Sequence, residues 1–331
     1  MRRVSIVIVA CALGMVMTPA VQAGMPMDKV VGGPGDQYAP SSNGTLVAYT
    51  EYRRRHADAY VEDPETGHRM RANRAGTAGA QGSFIAGTNE IVYQEFTNKR
   101  SNLYFFDTDD RDRSPAPKKV NEPGWEYWPV GSQDYLLFLR ATNKFRTRSL
   151  ILFDRDTQRS RTLFSGGPKL SLYPNFVGSR YAAWVRCAHD RCTVSIFDTV
   201  SGHTSKLQTP AGMEDYAVTI DESTGTVYFA RGPWNRCGAG AMIRRAAIGS
   251  NDSALIVRLP RGIDLGYIMS LATNPDTAML DLYVTRWECR AEKADVYAIR
   301  SVDATTRRTA PGPRIEGPGV DDRPMPTAGA G

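Results

Sequence analysis

The run Leu46-Val47-Ala48-Tyr49 recurs in altered form along the chain at a nearly constant spacing. The later copies are Ile91-Val92-Tyr93, Leu136-Leu137-Phe138-Leu139, Ala182-Ala183-Trp184-Val185, Val227-Tyr228-Phe229-Ala230 and Leu280-Asp281-Leu282-Tyr283. Their first residues are separated by 45, 45, 46, 45 and 53 positions. Short β-branched and aromatic runs are typical of strands, and a period near 45 residues indicates that each unit is one small sheet.

A second motif recurs at nearly the same spacing as the first. Runs that end in an acidic residue occur as Tyr60-Val61-Glu62-Asp63, Phe105-Phe106-Asp107, Leu152-Phe153-Asp154 and Ile196-Phe197-Asp198. Turn-forming residues such as Thr66-Gly67 follow these runs, and turns such as Ser42-Asn43-Gly44 precede runs of the first kind. Each repeat is therefore predicted to contain four antiparallel strands, A to D, with the first landmark as strand B and the second as strand C.

Six such repeats predict an all-β fold. A single four-stranded sheet cannot bury both faces, so six sheets stacked radially should close into a six-bladed β-propeller. The last two repeats are irregular, because 242–247 lacks the acidic ending and Ile299-Arg300 replaces it in the sixth. Five or seven blades are therefore the alternatives. Either residues 29–31 or residues 307–309 are expected to supply the outer strand that closes the ring.

These motifs resemble the TolB-type repeat, in which a Ser-Pro-Asp-Gly-like turn leads to an apolar strand, then a strand ending in Asp, a turn glycine and a basic strand. The matching residues are Ser41-Ser42-Asn43-Gly44 with 46–49, and Ile196-Phe197-Asp198 through Gly202 to Leu207. The resemblance covers roughly 38–302 and implies a TolB-like propeller that lacks the N-terminal domain of TolB. It says less about function, because propellers of this family serve as scaffolds, as periplasmic partners and as lids on peptidases.

The N-terminal segment has the pattern of a secretory signal peptide. Arg2 and Arg3 precede an apolar run over residues 4–17, and Val21-Gln22-Ala23 supplies small residues before a cleavage site. We expect residues 1–23 to be removed, leaving a secreted protein, extracellular or periplasmic, with no membrane span in the mature chain. An uncleaved anchor and a lipoprotein cleaved before Cys11 are the alternatives, although the run is short for a bilayer core of about 30 Å.

Composition divides the rest of the chain into three parts. Residues 24–37 are expected to be an N-terminal linker or closing strand, 38–309 the propeller, and 310–331, rich in Pro, Gly and Ala, a disordered tail. The formal net charge of the 331 residues is +6, which falls to +4 once the two signal arginines are removed. Such a modest excess favours acidic partners without predicting nucleic-acid binding. We expect a monomer.

Four cysteines remain once Cys11 is removed. Cys187 and Cys192 fall on either side of the predicted B–C hairpin of blade 4, while Cys237 and Cys289 fall in the B–C loops of two neighbouring blades. An even number of cysteines in an exported chain favours two disulfides with this pairing. A zinc site is not favoured, because neither Cys237 nor Cys289 has a Cys or His within five positions. We therefore expect no metal and no cofactor.

Every predicted B–C loop carries positive charge. Because these loops share one face of a propeller, the charges should form a basic ring there, with aromatic residues such as Tyr52, Phe96 and Phe145 interleaved. The candidate ligand-binding residues are Arg53, Arg54, Arg55, Arg100, Arg146, Arg148, Arg191, Trp234, Arg236, Trp287 and Arg290. Arginine beside aromatic rings suits the recognition of carboxylate, phosphate or sulfate. Alternatively, charged loops only keep the sheet edges soluble.

Signals for catalysis are weak. The propeller-bearing peptidases place their nucleophile in a Gly-x-Ser-x-Gly elbow on a hydrolase domain, and this sequence contains no such elbow. The four histidines fall in two pairs that are predicted on opposite faces: His56 and His189, and His68 and His203. Carboxylates at the predicted D–A entries could act on a glycan if two of them lie close together. They are Glu122, Glu126, Glu214, Asp215 and Asp264.

These patterns predict a secreted, non-catalytic propeller. It should bind a protein or an anionic envelope polymer through the basic B–C loop face. The alternatives are a glycan-acting hydrolase or lyase that uses the carboxylates at the central channel, and a purely structural role.

Overall fold

The structure is a computed structural model that describes residues 27–31, 34–53, 56–96, 100–122, 124–142, 145–188, 191–233, 237–291 and 293–302. In these ranges the chain forms 24 strands joined by turns and loops. No helix in the described ranges is both long and apolar enough to cross a membrane. The predicted signal peptide, 1–23, and the predicted tail, 310–331, lie outside the described residues.

The strands form six four-stranded antiparallel sheets, which confirms the predicted six-bladed propeller. Blade 1 contains β2 (Asp36–Ser42), β3 (Val47–Arg53), β4 (His56–Glu62) and β5 (Arg69–Arg71). Blade 2 contains β6 (Ala78–Phe84), β7 (Glu90–Phe96), β8 (Ser101–Asp107) and β9 (Arg113–Pro115). Blade 3 contains β10 (Trp125–Gly131), β11 (Tyr135–Thr142), β12 (Thr147–Asp154) and β13 (Arg159–Gly166).

The remaining blades follow the same order. Blade 4 contains β14 (Leu170–Val177), β15 (Tyr181–Ala188), β16 (Arg191–Asp198) and β17 (Thr204–Lys206). Blade 5 contains β18 (Met213–Asp221), β19 (Thr226–Pro233), β20 (Met242–Ala247) and β21 (Ala254–Arg258). Blade 6 contains β22 (Ile263–Thr273), β23 (Leu280–Glu288), β24 (Lys293–Ile299) and, as its outer strand, β1 (Met27–Lys29).

The two ends of the propeller meet in blade 6. Met27 lies opposite Ile299 and Lys29 opposite Tyr297 in an antiparallel ladder. The Lys29 ammonium also lies 2.9 Å from the Asp295 carboxylate. An N-terminal strand thus completes the sheet that the last three strands begin, and the ring closes through backbone hydrogen bonds. Because β1 begins and β24 ends beside the C–D turns, both ends of the described chain leave from the face opposite the B–C loops.

The acidic residue that ends strand C recurs because it organises the C–D turn. Asp198 Oδ1 accepts hydrogen bonds from the backbone N–H groups of Val200, at 2.9 Å, and Ser201, at 3.2 Å. Asp63 and Asp107 accept the equivalent bonds from the residues two and three positions later. A short polar side chain that satisfies the turn backbone in this way is favoured at such positions. The second sequence landmark is therefore a turn signal that recurs from blade to blade.

The hydrophobic core lies between blades rather than at the centre of the ring. Ala48 and Val61 of blade 1 are buried with Ile91 of blade 2, and equivalent clusters fill the other interfaces. At the closing interface, Tyr49 of blade 1 packs with Tyr283 of blade 6. Each sheet thus buries both faces only when its neighbours are present, as the repeat period predicts.

Candidate functional site

The inner strand of every blade carries a β-bulge near its middle. In blades 1 to 5 the register between strands A and B slips by one residue, at Tyr38 to Ser41 in blade 1, for example. In blade 6 the slip is two residues, because Gly266, Tyr267 and Ile268 together oppose Thr285. Bulges redirect side chains out of the regular alternation of a strand. Here they occur on the strands that surround the central channel.

Three aromatic rings stack across this channel. The ring centroids of Trp128 in blade 3 and Tyr173 in blade 4 lie 4.8 Å apart, and the ring planes are 19° apart. Tyr173 in turn lies 4.8 Å from Tyr267 of blade 6, with planes 10° apart. Blade 5 stands between blades 4 and 6 in the ring, so the second contact bridges strands that are not neighbours. We call Trp128, Tyr173 and Tyr267 the channel stack.

Tyr216 of blade 5 also contacts the channel stack. Its ring meets Tyr267 edge to face at 6.0 Å, and its hydroxyl donates a 2.6 Å hydrogen bond to Asp264 Oδ1. Burial, together with the adjacent Asp264 carboxylate, raises the pKa of Tyr216 well above its usual value. Tyr216 therefore stays protonated and keeps donating to Asp264.

The bulges of blades 1 to 3 have a left-handed residue at the same place. Ala39, Gln81 and Trp128 have φ values of 52°, 55° and 55°. Each backbone N–H is satisfied by a side chain on strand B of the preceding blade, at 3.2, 2.6 and 2.7 Å. The acceptors are Thr285, Thr50 and Gln94, respectively. This hydrogen bond offsets the backbone strain and fixes the direction of the bulged side chain.

Strand B carries a charged residue at one equivalent position near its B–C end. The residues, in blade order, are Glu51, Glu95, Arg140, Arg186, Arg231 and Arg286. Blades 1 and 2 therefore supply acids, while blades 3 to 6 supply arginines. The residues at or equivalent to the Trp128 position of the bulge divide in the same way, with Ala39 and Gln81 in the first two blades and Trp128, Tyr173, Tyr216 and Tyr267 in the other four. Charge and aromatic character thus distinguish blades 3–6 from the rest of the ring.

The carboxylates predicted at the D–A entries are held by partners. Asp215 is fully buried, and both of its oxygens accept from the Arg231 guanidinium, at 2.6 and 2.8 Å. Arg140 binds Glu126 through Nε at 2.9 Å and Glu122 through Nη1 at 2.6 Å. Asp264 accepts from Tyr216, as above. Other side chains thus neutralise or hydrogen-bond Glu122, Glu126, Asp215 and Asp264.

Glu126 combines complete burial with an incomplete set of partners. Its Oε2 atom has no hydrogen-bond partner among the described residues. Burial raises the pKa of Glu126 to about 7, against the opposing charge of Arg140. An unfolded glutamate titrates near pH ~4.3, so between these values the folded protein binds the proton more tightly than the unfolded chain. The free energy of unfolding from this group therefore falls as the pH rises through that window.

Glu126→Gln is expected to remove this decline. The variant should be more stable than the wild type above about pH 7, by roughly 3–4 kcal/mol, and similar to it near pH ~4. Urea unfolding at several pH values measures the effect. Glu122→Gln is the control, because this exposed carboxylate binds the same Arg140. An unchanged pH slope in Glu126→Gln would mean that Glu126 stays ionised throughout.

The predicted basic residues differ in what holds them. Arg53 forms an ion pair with the buried Glu51 of its own strand. Arg146, Arg191 and Arg290 are exposed and have no acidic partner among the described residues. Arg148 is half-buried and donates to the Leu170 carbonyl oxygen at 3.1 Å. Arg100 is exposed, and Trp287 is half-buried opposite Asp264. Arg54, Arg55, Trp234 and Arg236 lie outside the described residues.

One aromatic residue of the B–C loops connects to the channel stack. Phe145, in the B–C loop of blade 3, lies 5.2 Å from Trp125 and 6.4 Å from Tyr127. Tyr127 then meets Trp128 at 5.2 Å. Aromatic contacts therefore run without a break from the rim of the B–C face into the channel.

Both predicted disulfides are present. Cys187 and Cys192 are opposite each other on the strands of the blade 4 hairpin, with Cα atoms 4.0 Å apart. Cys237 and Cys289 join the B–C loops of blades 5 and 6, with Cα atoms 5.9 Å apart. A carboxylate oxygen of Asp264 lies within 4.8 Å of both of these sulfurs. Because the sulfurs are bonded to each other, they do not form a thiolate site.

The channel stack was not predicted from the sequence, although two of its three residues belong to a periodic pattern. Trp128-Pro129 and Tyr173-Pro174 are 45 residues apart, the same spacing as the strand B landmark. An aromatic residue followed by proline, which cannot donate to a ladder, marks a bulged inner strand. Tyr267 has no such neighbour and lies in the longer bulge.

No family model matches the chain, and no curated protein matches it in sequence. Solved structures do match. TolB from Acinetobacter baumannii is 12% identical with a TM-score of 0.54, over 78% of this chain and 65% of that one. A putative TolB from Agrobacterium tumefaciens is 9% identical with a TM-score of 0.56, over 82% and 95%. Acylaminoacyl peptidase from Pyrococcus horikoshii is 11% identical with a TM-score of 0.50, over 84% and 46%.

The chain spans about two thirds of the length of the Acinetobacter TolB. At these identities the likeness shows the fold, which is a TolB-like six-bladed β-propeller, as the repeat motifs predicted. The same fold occurs in a peptidase, so it does not by itself decide the function.

Proposed function

We propose that the protein is a non-catalytic binding or scaffold protein. Its B–C face holds an anionic partner, either a protein or an anionic polymer of the cell envelope. The contact lies over blades 3 to 6, where the arginines and the aromatic residues are found together. The protein acts outside the cell or in the periplasm, and its two disulfides suit such an oxidising compartment.

An imbalance of partnered charge is the observation that carries this proposal. The acids near the channel are bound by arginine or tyrosine, whereas Arg146, Arg191 and Arg290 project into solvent with no acidic partner among the described residues. Guanidinium groups in this state can form bidentate hydrogen bonds with carboxylate or sulfate groups of a partner. The TolB-like fold is compatible with such a role.

Glu126 is the observation that favours the alternative, a glycan-acting hydrolase or lyase. A carboxyl with a pKa of about 7 is suited to general acid catalysis. However, a general acid has to reach the glycosidic oxygen, and the Glu126 side chain is fully buried and bonded to Arg140. The channel is also bridged by the channel stack. Binding therefore explains the geometry better than hydrolysis does.

The double variant Arg146→Ser/Arg191→Ser tests the proposal. A screen of the secreted protein against anionic and neutral envelope polysaccharides and surface-protein fractions should find a salt-sensitive anionic partner. The variant should bind that partner about tenfold more weakly, since rim charges act mainly through electrostatic attraction. Arg111→Asn/Arg159→Ser is the matched control, because it removes two exposed charges at the C–D turns of the opposite face.

Equal losses in both variants would attribute binding to net charge alone. If no anionic partner binds, or if a neutral glycan is consumed, the basic face only keeps the protein soluble, and the channel carboxylates become the site to pursue.

A further inference from the structure

Tyr267 is exposed where an aromatic ring would normally be buried. Among the large hydrophobic side chains of the described residues, Val200 and Tyr267 are the exposed ones, and 43% of Tyr267 is accessible. At the equivalent position, Gln81 and Tyr216 are each 5% exposed, and the residues of blades 1, 3 and 4 are half-buried. Tyrosine and tryptophan are enriched at protein interfaces, because each presents an apolar ring together with a polar group.

The longer bulge of blade 6 accounts for this exposure. Two extra residues in the inner strand interrupt its pairing with strand B between Leu265 and Met269. Gly266 makes the path possible, because a Cβ at that position would lie 2.8 Å from the Thr285 Cβ of strand B. The bulge lies level with Thr285, in the half of the strand that is nearer to the B–C loops.

The ring of Tyr267 is held in place before any ligand arrives. One face stacks on Tyr173, which stacks on Trp128, and Tyr216 meets it edge to face. Tyr216 is itself fixed by its hydrogen bond to Asp264. A ring restrained in this way loses little conformational freedom when a ligand covers its open surface.

Charges of both signs act electrostatically on Tyr173 in the stack. Burial raises the pKa of Tyr173, while the charge of Arg148 opposes the rise and that of Glu214 adds to it. Both side chains therefore lie within electrostatic reach of the rings. A guanidinium donates hydrogen bonds and a carboxylate accepts them, and sugar hydroxyls can use both.

We propose that Tyr267 is a stacking platform for a sugar ring of an anionic polysaccharide whose carboxylate or sulfate groups bind the arginines of the B–C rim. This inference rests on the proposed function and selects the polysaccharide among its two classes of partner. The C–H face of a pyranose covers a single flat ring, and Arg146 and Arg191 then engage charges farther along the polymer.

The arrangement of the rings favours a sugar over a proline-rich peptide. Grooves that bind polyproline helices are lined by aromatic rings that prolines contact along the groove. In the channel stack the rings are packed face to face, with centroids 4.8 Å apart, so no space remains between them. The exposed part of Tyr267 belongs to one ring, which matches contact with a single sugar ring.

Binding of the secreted protein to three probes tests this inference. The probes are an oligouronide, a neutral dextran oligosaccharide and polyglutamate of matched charge density. Tyr267→Ala should weaken oligouronide binding at least tenfold and leave polyglutamate binding unchanged. Tyr267→Phe should retain most of the oligouronide binding. Val200→Ala, at the other exposed hydrophobic residue, is the control and should change neither. Unaltered thermal unfolding of Tyr267→Ala would show that the fold is intact.

The outcomes separate the two proposals. The sugar platform is wrong if Tyr267→Ala binds the oligouronide as well as the wild type does. It is also wrong if Tyr267→Ala loses as much affinity for polyglutamate as for the oligouronide. If the Arg146→Ser/Arg191→Ser variant still loses affinity for both anions, the proposed function stands without it. If the wild type binds neither anionic probe nor any envelope fraction, the proposed function itself fails.

Discussion

Arg231→Met is expected to destabilise the propeller by about 3–5 kcal/mol, because it leaves a buried carboxylate without its cation. Asp215 is fully buried, and its two oxygens accept bonds from the guanidinium at 2.6 and 2.8 Å. Thr209 Oγ1 donates a further 2.6 Å bond, which is too little to compensate for the lost charge. Methionine fills a similar volume, so the loss reports the unpaired charge rather than a cavity. Urea unfolding measures it.

Arg286→Met is the matched control for this prediction. Arg286 occupies the same strand position in blade 6, but its partner, Glu288, is partly exposed at 3.2 Å. Water can solvate Glu288 when the arginine is lost, so the expected change is about 0–1 kcal/mol. The double variant Asp215→Leu/Arg231→Met should recover much of the stability, since removing both charges leaves neither unpaired. Equal losses in Arg231→Met and Arg286→Met would contradict the role assigned to burial.

The fold could be predicted from the sequence because its signals are local. The apolar run of strand B and the Asp of the C–D turn recur at one period, and each acts within its own blade. The 53-residue interval before the last repeat has a local cause as well. The B–C loop of blade 5 contains eight residues, whereas the other five contain two to four, and β22 is longer than the other inner strands.

The site was harder to predict because it depends on the partner that each charged residue has and on contacts between blades. Arg53 and Arg146 look alike in the sequence, yet only Arg53 has an acid beside it, because blade 1 carries Glu51 where blade 3 carries Arg140. The channel stack joins residues that are far apart in sequence and lie in blades that are not all neighbours. Only the closed ring brings Tyr173 and Tyr267 together, and no local pattern reports that distance.

Both disulfide pairings could be predicted from the sequence, because each follows from the predicted positions of the cysteines in the propeller. Cys187 and Cys192 flank a two-residue loop, so their pairing follows from any hairpin. The pairing of Cys237 with Cys289 follows only if blades 5 and 6 are neighbours and both loops lie on one face. The propeller prediction supplied both conditions, and the structure confirms the bond.

Removing the Cys237–Cys289 bond is expected to cost far more stability than removing Cys187–Cys192. The first bond closes a segment of 52 positions and the second a segment of 5. In the chain-entropy model the longer loop contributes about 4 kcal/mol and the shorter about 2 kcal/mol, since a longer closed segment restricts the unfolded chain more. Urea unfolding of Cys237→Ser/Cys289→Ser and of Cys187→Ser/Cys192→Ser gives the comparison, and thiol titration of the unreduced wild type should detect no free thiol from these four cysteines.

Native packing adds a second reason for the larger loss. Beside the bond, a Cβ on Gly238 would lie 2.6 Å from the Gly262 Cα, so the two backbones are in direct contact. Gly238 N also donates to Asp264, the partner of Tyr216. Loss of the bond should therefore make the position of Tyr267 less fixed and weaken the binding of any ligand that stacks on this ring. Cys187→Ser/Cys192→Ser should leave that binding unchanged. If both double variants unfold at the same urea concentration, neither loop length nor the link between blades 5 and 6 governs the stability of this face.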